Sequence, residues 1–325
     1  MRELGEFALI DRITANREQG PQVLLGPGDD AALVAAPDGR FVVSTDMLVE
    51  GRHFRRDWSA PQDIGRKAIA QNAADIVAMG ARPTAFVVAL GCPADTPVPV
   101  VTGIADGMWA EASRAGGSIA GGDLVRSDQL VVSVTAFGDL GGRAALTRSG
   151  ATVGDIVAVA GELGWSGAGL AVLSGDADTS DPAFAHALAT HRVPQPPYAA
   201  VLDVAGGATP TALTDVSDGL LADLGHLATA SGVAIDVHSA ALADPDLAAL
   251  AVLLDVDAAQ WILAGGEDHA FAGTWPAGTA LPPGWRPIGV VTAGSGVTVD
   301  GAAPTGCTGW ESFRGADATP GGRNR

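Results

Sequence analysis

Lysine is almost absent from this chain: of 19 basic residues in 325, Lys67 is the one lysine. Acidic residues number 37, so the net charge is −18. Such a surface repels a nucleic-acid backbone or an anionic membrane, and neither is an expected partner. Chemistry on a phosphate would therefore fall to arginine, backbone amides or bound metal ions. Cysteine is scarce too. Cys92 and Cys307 stand far apart, with no CxxC pair and no zinc-ligand spacing, which gives little support to a disulfide framework or a thiolate cage. They read as small apolar residues in a reducing cytoplasm. No uncharged apolar run reaches the about 18 residues of a membrane span. The N-terminus MRELGEFALIDRI carries Glu3, Glu6 and Asp11 among its apolar residues, unlike an export signal. A soluble cytoplasmic protein is the expectation. Neither GxxxxGK[ST] nor the HRD and DFG triplets occur, which disfavours P-loop and protein-kinase chemistry.

What is present is apolar and organised. Hydrophobic residues make up 47% of a chain long enough for two ordinary domains. Phe41 to Val49, Thr84 to Gly91 and Leu130 to Leu140 read as strands, rich in β-branched and aromatic residues. Between the first two, Asp63 can cap a helix in which Ile69, Ala73 and Ile76 recur on one face, with Gly80 and Pro83 ending it. Asn72 and Asp75, three apart, share a face of that helix. A second helical pattern covers Val100 to Ala115. The pattern restarts at Leu146, with a strand at Ile156 to Ala160 and a glycine-rich loop, GELGWSGAGL, feeding a helix. HRVPQPP (His191 to Pro197) is expected to be extended. Leu220, Leu224 and Leu227 mark a further helix, stopped at Ser231-Gly232, and VAIDV, WILAGGEDHAFAG and PIGVVTAG read as strands. Alternating strands and helices argue for an α/β class. The expected division is an N-terminal domain over 1–142, a C-terminal α/β domain over 143–315, and a disordered tail over 316–325 with little to bury.

The chemistry-bearing feature is a set of aspartates at or beside the ends of apolar segments. Asp29 and Asp30 lie in GPGDDAALV, Asp46 in STD, Asp75 in NAAD, Asp123 in GGD, and Asp215 and Asp218 in DVSD. Any one has an ordinary explanation: Asp215 or Asp218 could cap the helix beginning at Gly219, and Asp30 could sit in a turn. Taken together, with small residues around them and no lysine nearby, they would repel one another unless cations filled the space between. Hard divalent ions with oxygen ligands meet that need. Because Mg²⁺ takes only one or two carboxylates per ion, a set this large implies more than one ion. GELGWSGAGL does not have GxGxxG spacing and is by itself a weak phosphate-loop signal.

GPGDDAALV, STDMLVEGRHF, NAADIVAMGARP, GGDLVRS, LTRSGATVGD, TDVSDGL and GGEDHAF resemble, in order, the motifs of the thiamine-monophosphate kinase family. That family belongs to the superfamily that also holds aminoimidazole ribonucleotide synthetase and selenophosphate synthetase. The resemblance runs from about Glu3 to Phe313. It implies a two-domain aminoimidazole ribonucleotide synthetase-like α/β (α+β) fold whose N-terminal sheet pairs with that of a dimer mate. It also implies transfer of the γ-phosphoryl of ATP to thiamine monophosphate, giving thiamine diphosphate with the help of several Mg²⁺ ions. Carried over by position, Asp30, Ser44, Thr45, Asp46, Asp75, Asp123, Asp215 and Asp218 resemble the Mg²⁺ ligands. Gly122, Asp123, Arg148 and Ser217 resemble the ATP contacts, and His53, Glu267 and Phe313 the thiamine-monophosphate contacts.

The departures sit beside those positions. Where the family commonly has GIGDDAA, VDGVHF, GGDTT and GGEDYEL, this chain has Pro27, Glu50, Arg52, Leu124-Val125 and His269-Ala270. An aromatic that stacks near adenine in some relatives has no counterpart around Ala105 to Trp109. Ordinary roles also stand beside the carried-over ones: His53 could close a turn, Phe313 could pack a core, and Arg148 could form a surface ion pair. Two other functions fit the same residues: a superfamily enzyme that activates a carbonyl or amide oxygen with ATP, and a non-catalytic nucleotide or divalent-cation binder. Selenophosphate synthesis is discounted, since Cys92 and Lys67 are not placed for it.

Overall fold

The computed structural model describes residues 12–14, 17–25, 32–203 and 209–310. Asp29, Asp30, Phe313 and the expected tail over 316–325 lie outside them. The chain divides into two compact units, Met1–Ala145 and Leu146–Arg325.

In the first unit, β1 (Val23–Leu25) and β2 (Leu33–Val34) form a short antiparallel pair. A four-stranded sheet follows from β3 (Val42–Val49), β4 (Arg82–Cys92), β5 (Ser118–Arg126) and β6 (Val131–Asp139), ordered β3-β6-β4-β5. Only β4 and β5 run parallel. Helices α1 (Pro61–Ala78) and α2 (Val98–Ala115) cover one face. Pro61 starts α1 with its fixed φ, and the Asp63 carboxylate accepts the Ala60 amide at 3.1 Å, satisfying a donor at the helix entrance. At its far end Gly80 turns the chain with φ +74°.

The two helices touch backbone to backbone. A Cβ at Gly65 would stand 1.9 Å from the Ile104 carbonyl oxygen, and one at Gly107 would stand 2.0 Å from that of Gln62. Glycine is therefore a packing requirement at both positions. Squeezed between sheet and α2, α1 is buried on most of its circumference, Asn72 and Lys67 included.

The other face of the sheet is open. Register places Val43, Phe137 and Ala85 level with one another, then Thr45, Thr135 and Val87, then Met47, Ser133 and Ala89. Two of the first three are covered: Val23, Ala85 and Ala120 form a small core with Ala32, Val34 and Phe137. Val43, level with them, is 53% exposed, and further along Met47 is 52% and Val125 51%.

The second unit is built on β7 (Ile156–Ala160), α3 (Trp165–Ser174), α4 (Ala185–Arg192), α5 (Tyr198–Leu202), β8 (Ala212–Val216), α6 (Leu220–Ser231), β9 (Ala234–Val237), α7 (Pro245–Leu253), α8 (Ala258–Ala264), β10 (Ala270–Trp275), β11 (Trp285–Thr292) and β12 (Gly296–Val299). Its sheet has the order β12-β9-β11-β7-β10-β8, antiparallel except for β9 with β12. Leu220, Leu224 and Leu227 are wholly buried in its core with Val157, Val159, Ile235 and Ile288. Each such leucine contributes about 1.5–3 kcal/mol through removal from water.

Two expectations need correction. Trp261 to Ala264 lie in α8 and not in a strand, because Asp257 accepts the Ala259 amide at 2.9 Å and so launches a helix. Gly265 and Gly266 end it before β10 begins. His191 and Arg192 are likewise the last residues of α4. A proline restrains the residue before it, so Pro194 makes Val193 extended (φ −140°, ψ 97°) and leaves the residues two and three upstream free to be helical.

Candidate functional site

In the first unit, the alternation of β3 separates the STD triplet. Ser44 and Asp46 face α1, and the Ser44 hydroxyl donates to the Asp75 carboxylate at 2.6 Å. One turn earlier on the helix, Asn72 accepts the Asp46 amide at 3.0 Å and donates to the Ala68 carbonyl at 2.9 Å. The fully buried Asn72 thus fixes the register between β3 and α1, which sets Asp75 beside Ser44. Thr45 points to the open face. Its hydroxyl donates to the Val134 carbonyl at 2.9 Å and accepts from Thr135 at 3.3 Å, so its side chain is not part of the Ser44–Asp75 group.

Asp123 is level with Ala89, which places it on the exposed face, opposite to Ser44 and Asp46. Its carboxylate accepts the Leu124 amide at 2.9 Å. Gly122 beside it has a packing reason: a Cβ there would stand 2.1 Å from the Val88 carbonyl oxygen. His53 closes the turn after β3, its Nδ1 accepting the Val49 amide at 3.1 Å. That bond leaves the ring proton of a neutral imidazole on Nε2.

In the second unit, the turn from β8 into α6 gathers carboxylates. Asp215, on β8, is buried, and Nδ1 of the buried His269 lies 3.4 Å from its Oδ2. Asp218 is half-buried in the turn. Asp223, one turn into α6 and only 1% exposed, folds back so that one oxygen accepts the amides of Ser217, Asp218 and Gly219 at 3.0, 3.0 and 3.1 Å. Burial pushes the Asp223 carboxyl up to about 7; Asp215 and Asp218 push the same way, and the amides of Asp218 and Gly219 oppose them. Asp218 is also raised, first by burial and then by Asp215, against the attraction of His226, His269 and Arg148. Ligand atoms of Asp218, Asp223 and His226 lie within 4.8 Å of one another. Carboxylates whose ionised forms are disfavoured by burial and by each other are a donor set that suits a hard divalent cation.

Around this turn stand the remaining polar groups. Arg148 is exposed, and its Nε donates to the Thr214 hydroxyl at 3.2 Å, one residue before Asp215. Glu267 donates its amide to the Ser217 carbonyl at 2.7 Å, and His269 donates its own to Val216 at 2.8 Å. Both take left-handed backbone conformations, φ +67° and +51°, which non-glycine residues seldom adopt. Between them Asp268 is buried, with its carboxylate accepting the amides of Gly164 and Ser166 at 2.6 and 3.1 Å. The glycine-rich run before α3 therefore meets the protein's own carboxylate at the helix entrance. Burial raises that carboxyl to about 7 against the pull of the two amides.

The family of AIR synthase related proteins matches twice, its N-terminal domain over residues 28–140 and its C-terminal domain over residues 152–301. A thiamine-monophosphate kinase of Mycobacterium tuberculosis is 57% identical over 96% of this chain and 93% of its own length. The chain belongs to the thiamine-monophosphate kinase family. Solved members of the family superimpose on it. The crystal structure of thiamine-monophosphate kinase from Stenotrophomonas maltophilia K279a has a TM-score of 0.79 and 35% identity, covering 92% of this chain and 98% of that one. A complex of AaThiL with AMPPCP and TMP has a TM-score of 0.79 and 32% identity, covering 96% and 98%.

Beside the positions carried over from the family, the structure brings in Asp223, His226, Asp268, His269 and His191, whose Nδ1 lies 3.6 Å from a carboxylate oxygen of Glu267. Asp223 sits on a helix whose leucine spacing advertises only its core face. An aspartate in a helix's first turn, five residues after the last residue of DVSD, was the available signal for its inward fold. His191 comes from a helix that prolines downstream had obscured.

Proposed function

We infer that this protein transfers the γ-phosphoryl group of ATP to the phosphate of thiamine monophosphate, forming thiamine diphosphate and ADP. The observation that carries the reading is the buried carboxylate group at the β8–α6 turn, in a chain 57% identical to an enzyme of that name. AMPPCP is an analogue of ATP, and its presence with TMP in a structural relative supports the same pair of reactants here.

The residues divide the work. Ser44, Asp46 and Asp75 in the first unit and Asp215 and Asp218 in the second would hold Mg²⁺, with Asp30 as a further ligand; Asp123, on the opposite face of the sheet from Ser44 and Asp46, would serve an ion apart from theirs. Bound there, the ions would neutralise charge on two anionic reactants. Asn72 holds Asp46 and Asp75 on their facing elements, and Asp223 holds the turn that presents Asp218. Arg148, fixed at Nε by Thr214, presents its guanidinium to a phosphate oxygen, and Ser217 offers a hydroxyl nearby. Glu267, His53 and Phe313 contact the thiamine end of the acceptor. Phosphoryl transfer has a loose transition state with charge spread over oxygens, so positioning and charge neutralisation carry the catalysis. The acceptor is already an anionic phosphate and requires no general base.

The working assembly is a homodimer joined through the open face of the first sheet, and its compartment is the cytoplasm. Within the described residues no helix is long and apolar enough to cross a membrane. Purified protein with ATP and Mg²⁺ tests the reading. ADP release that depends on thiamine monophosphate supports it; release only with a purine precursor supports the amide-activating alternative; no turnover with either leaves a binder.

A further inference from the structure

His191 and Ser166, which no step above uses, form a row with Glu267. His191 is buried, and its Nδ1 lies 3.1 Å from the hydroxyl of the fully buried Ser166 and 3.6 Å from a carboxylate oxygen of Glu267. A serine, a histidine and an acid suggest a hydrolytic triad, but the geometry excludes it. Both oxygens meet the same ring nitrogen, whereas a relay needs one on each. Ser166 also has no exposed surface from which to attack.

What the row can do is aim a carboxylate. The Glu267 backbone is fixed in its left-handed conformation by the bond to Ser217, between Asp215 and Asp218. Its side chain is 30% exposed, with one oxygen toward the buried imidazole. A glutamate side chain has several rotatable bonds, and a buried imidazole 3.6 Å from one oxygen narrows that freedom. The exposed part of the carboxylate is then directed outward from the same loop that carries the acidic turn.

We propose that His191, braced by Ser166, is a positioning residue that aims Glu267 at the cationic thiazolium and amino-bearing pyrimidine of the acceptor. This rests on the function inferred above. His191 itself touches no substrate.

Steady-state kinetics with each substrate varied in turn test it, together with calorimetric binding of thiamine monophosphate alone. His191→Ala should raise KM for thiamine monophosphate about tenfold, weaken its binding in parallel, and leave KM for ATP within about twofold, as expected for loss of one charge-assisted contact. His191→Asn, whose amide nitrogen can stand near the place of Nδ1, should recover most of that loss. Ser166→Ala, which leaves little cavity, should shift the same constant in the same direction should His191→Ala fail to fold. Equal rises in both KM values, or an unchanged KM for thiamine monophosphate in a folded variant, would overturn the proposal. A wild-type enzyme that turns over ATP with another acceptor overturns the inferred function, and the aim of Glu267 at thiamine falls with it.

Discussion

At the scale of single residues, the aspartates separate by what their oxygens meet. Asp75 accepts from Ser44, and an asparagine there could keep that bond through its carbonyl while losing the charge. Asp75→Asn should therefore cut turnover by about 100-fold or more, as removal of ion-orienting groups does, while the unfolding midpoint in urea stays close to wild type. Near-wild-type turnover at saturating Mg²⁺ would remove Asp75 from the ion site. Asp268 is different, since its two amide partners make it part of the fold. Its carboxyl is raised from 3.8 to about 7 in the folded state, so folding favours the protonated form. The stability it adds is fully present below about pH 4 and is lost as pH rises through 7. Urea unfolding from pH 4 to 7 should show a fall in stability that is shallower in Asp268→Asn; parallel curves for the two proteins would contradict the assignment.

Sequence spacing reveals such residues unevenly. The three-residue interval from Asn72 to Asp75 is local and was readable before any coordinates, whereas Thr45 was grouped with Ser44 and Asp46 by resemblance and the alternation of β3 turns it away from them. Asp223, His191 and His269 owe their positions to chain reversals: a fold-back onto three amides, a helix packed against another helix, and a left-handed backbone at Glu267 and His269. None of these leaves a periodic trace.

At the scale of elements, the two glycines between α1 and α2 and the glycine inside α6 make opposite predictions from one substitution. Alanine favours a helix over glycine by up to about 1 kcal/mol. At Gly107 the new methyl would meet the Gln62 carbonyl at 2.0 Å, a backbone atom that no rotamer change can move. Separating the helices costs about 1–3 kcal/mol, so Gly107→Ala should destabilise. At Gly225 nothing lies within 4 Å of the added carbon, so Gly225→Ala should stabilise by about 0.5–1 kcal/mol. Urea midpoints of the two variants should lie on either side of wild type; two shifts of one sign would mean that propensity or packing has been misjudged. The same contrast explains what the sequence disclosed about elements. Leucine spacing located α6 because burial there is periodic. The run WILAGG misled because a short apolar stretch fits strand and helix alike, and the decision came from the Asp257 cap, upstream of the stretch.

At the scale of the whole molecule, the proposed dimer sets two large terms against each other. Each chain carries −18, so two copies repel at long range. The open face of the first sheet offers Val43, Met47, Val87 and Val125 as apolar surface whose burial opposes that repulsion. Salt screens the first term within about 8–10 Å at ordinary ionic strength and leaves the second nearly untouched. The dimer should consequently tighten as salt is raised from low concentration, as sedimentation velocity would show. Met47→Arg separates the two terms. It makes each chain less negative, so weaker repulsion alone would strengthen association. It also places a charge in the middle of the apolar face, with Ser133 and Ala89 level with it, where desolvation is costly. The burial argument requires the second effect to win, so the variant should sediment as a monomer at concentrations where wild type is dimeric. A variant that dimerises as well as wild type, or better, would place the interface elsewhere.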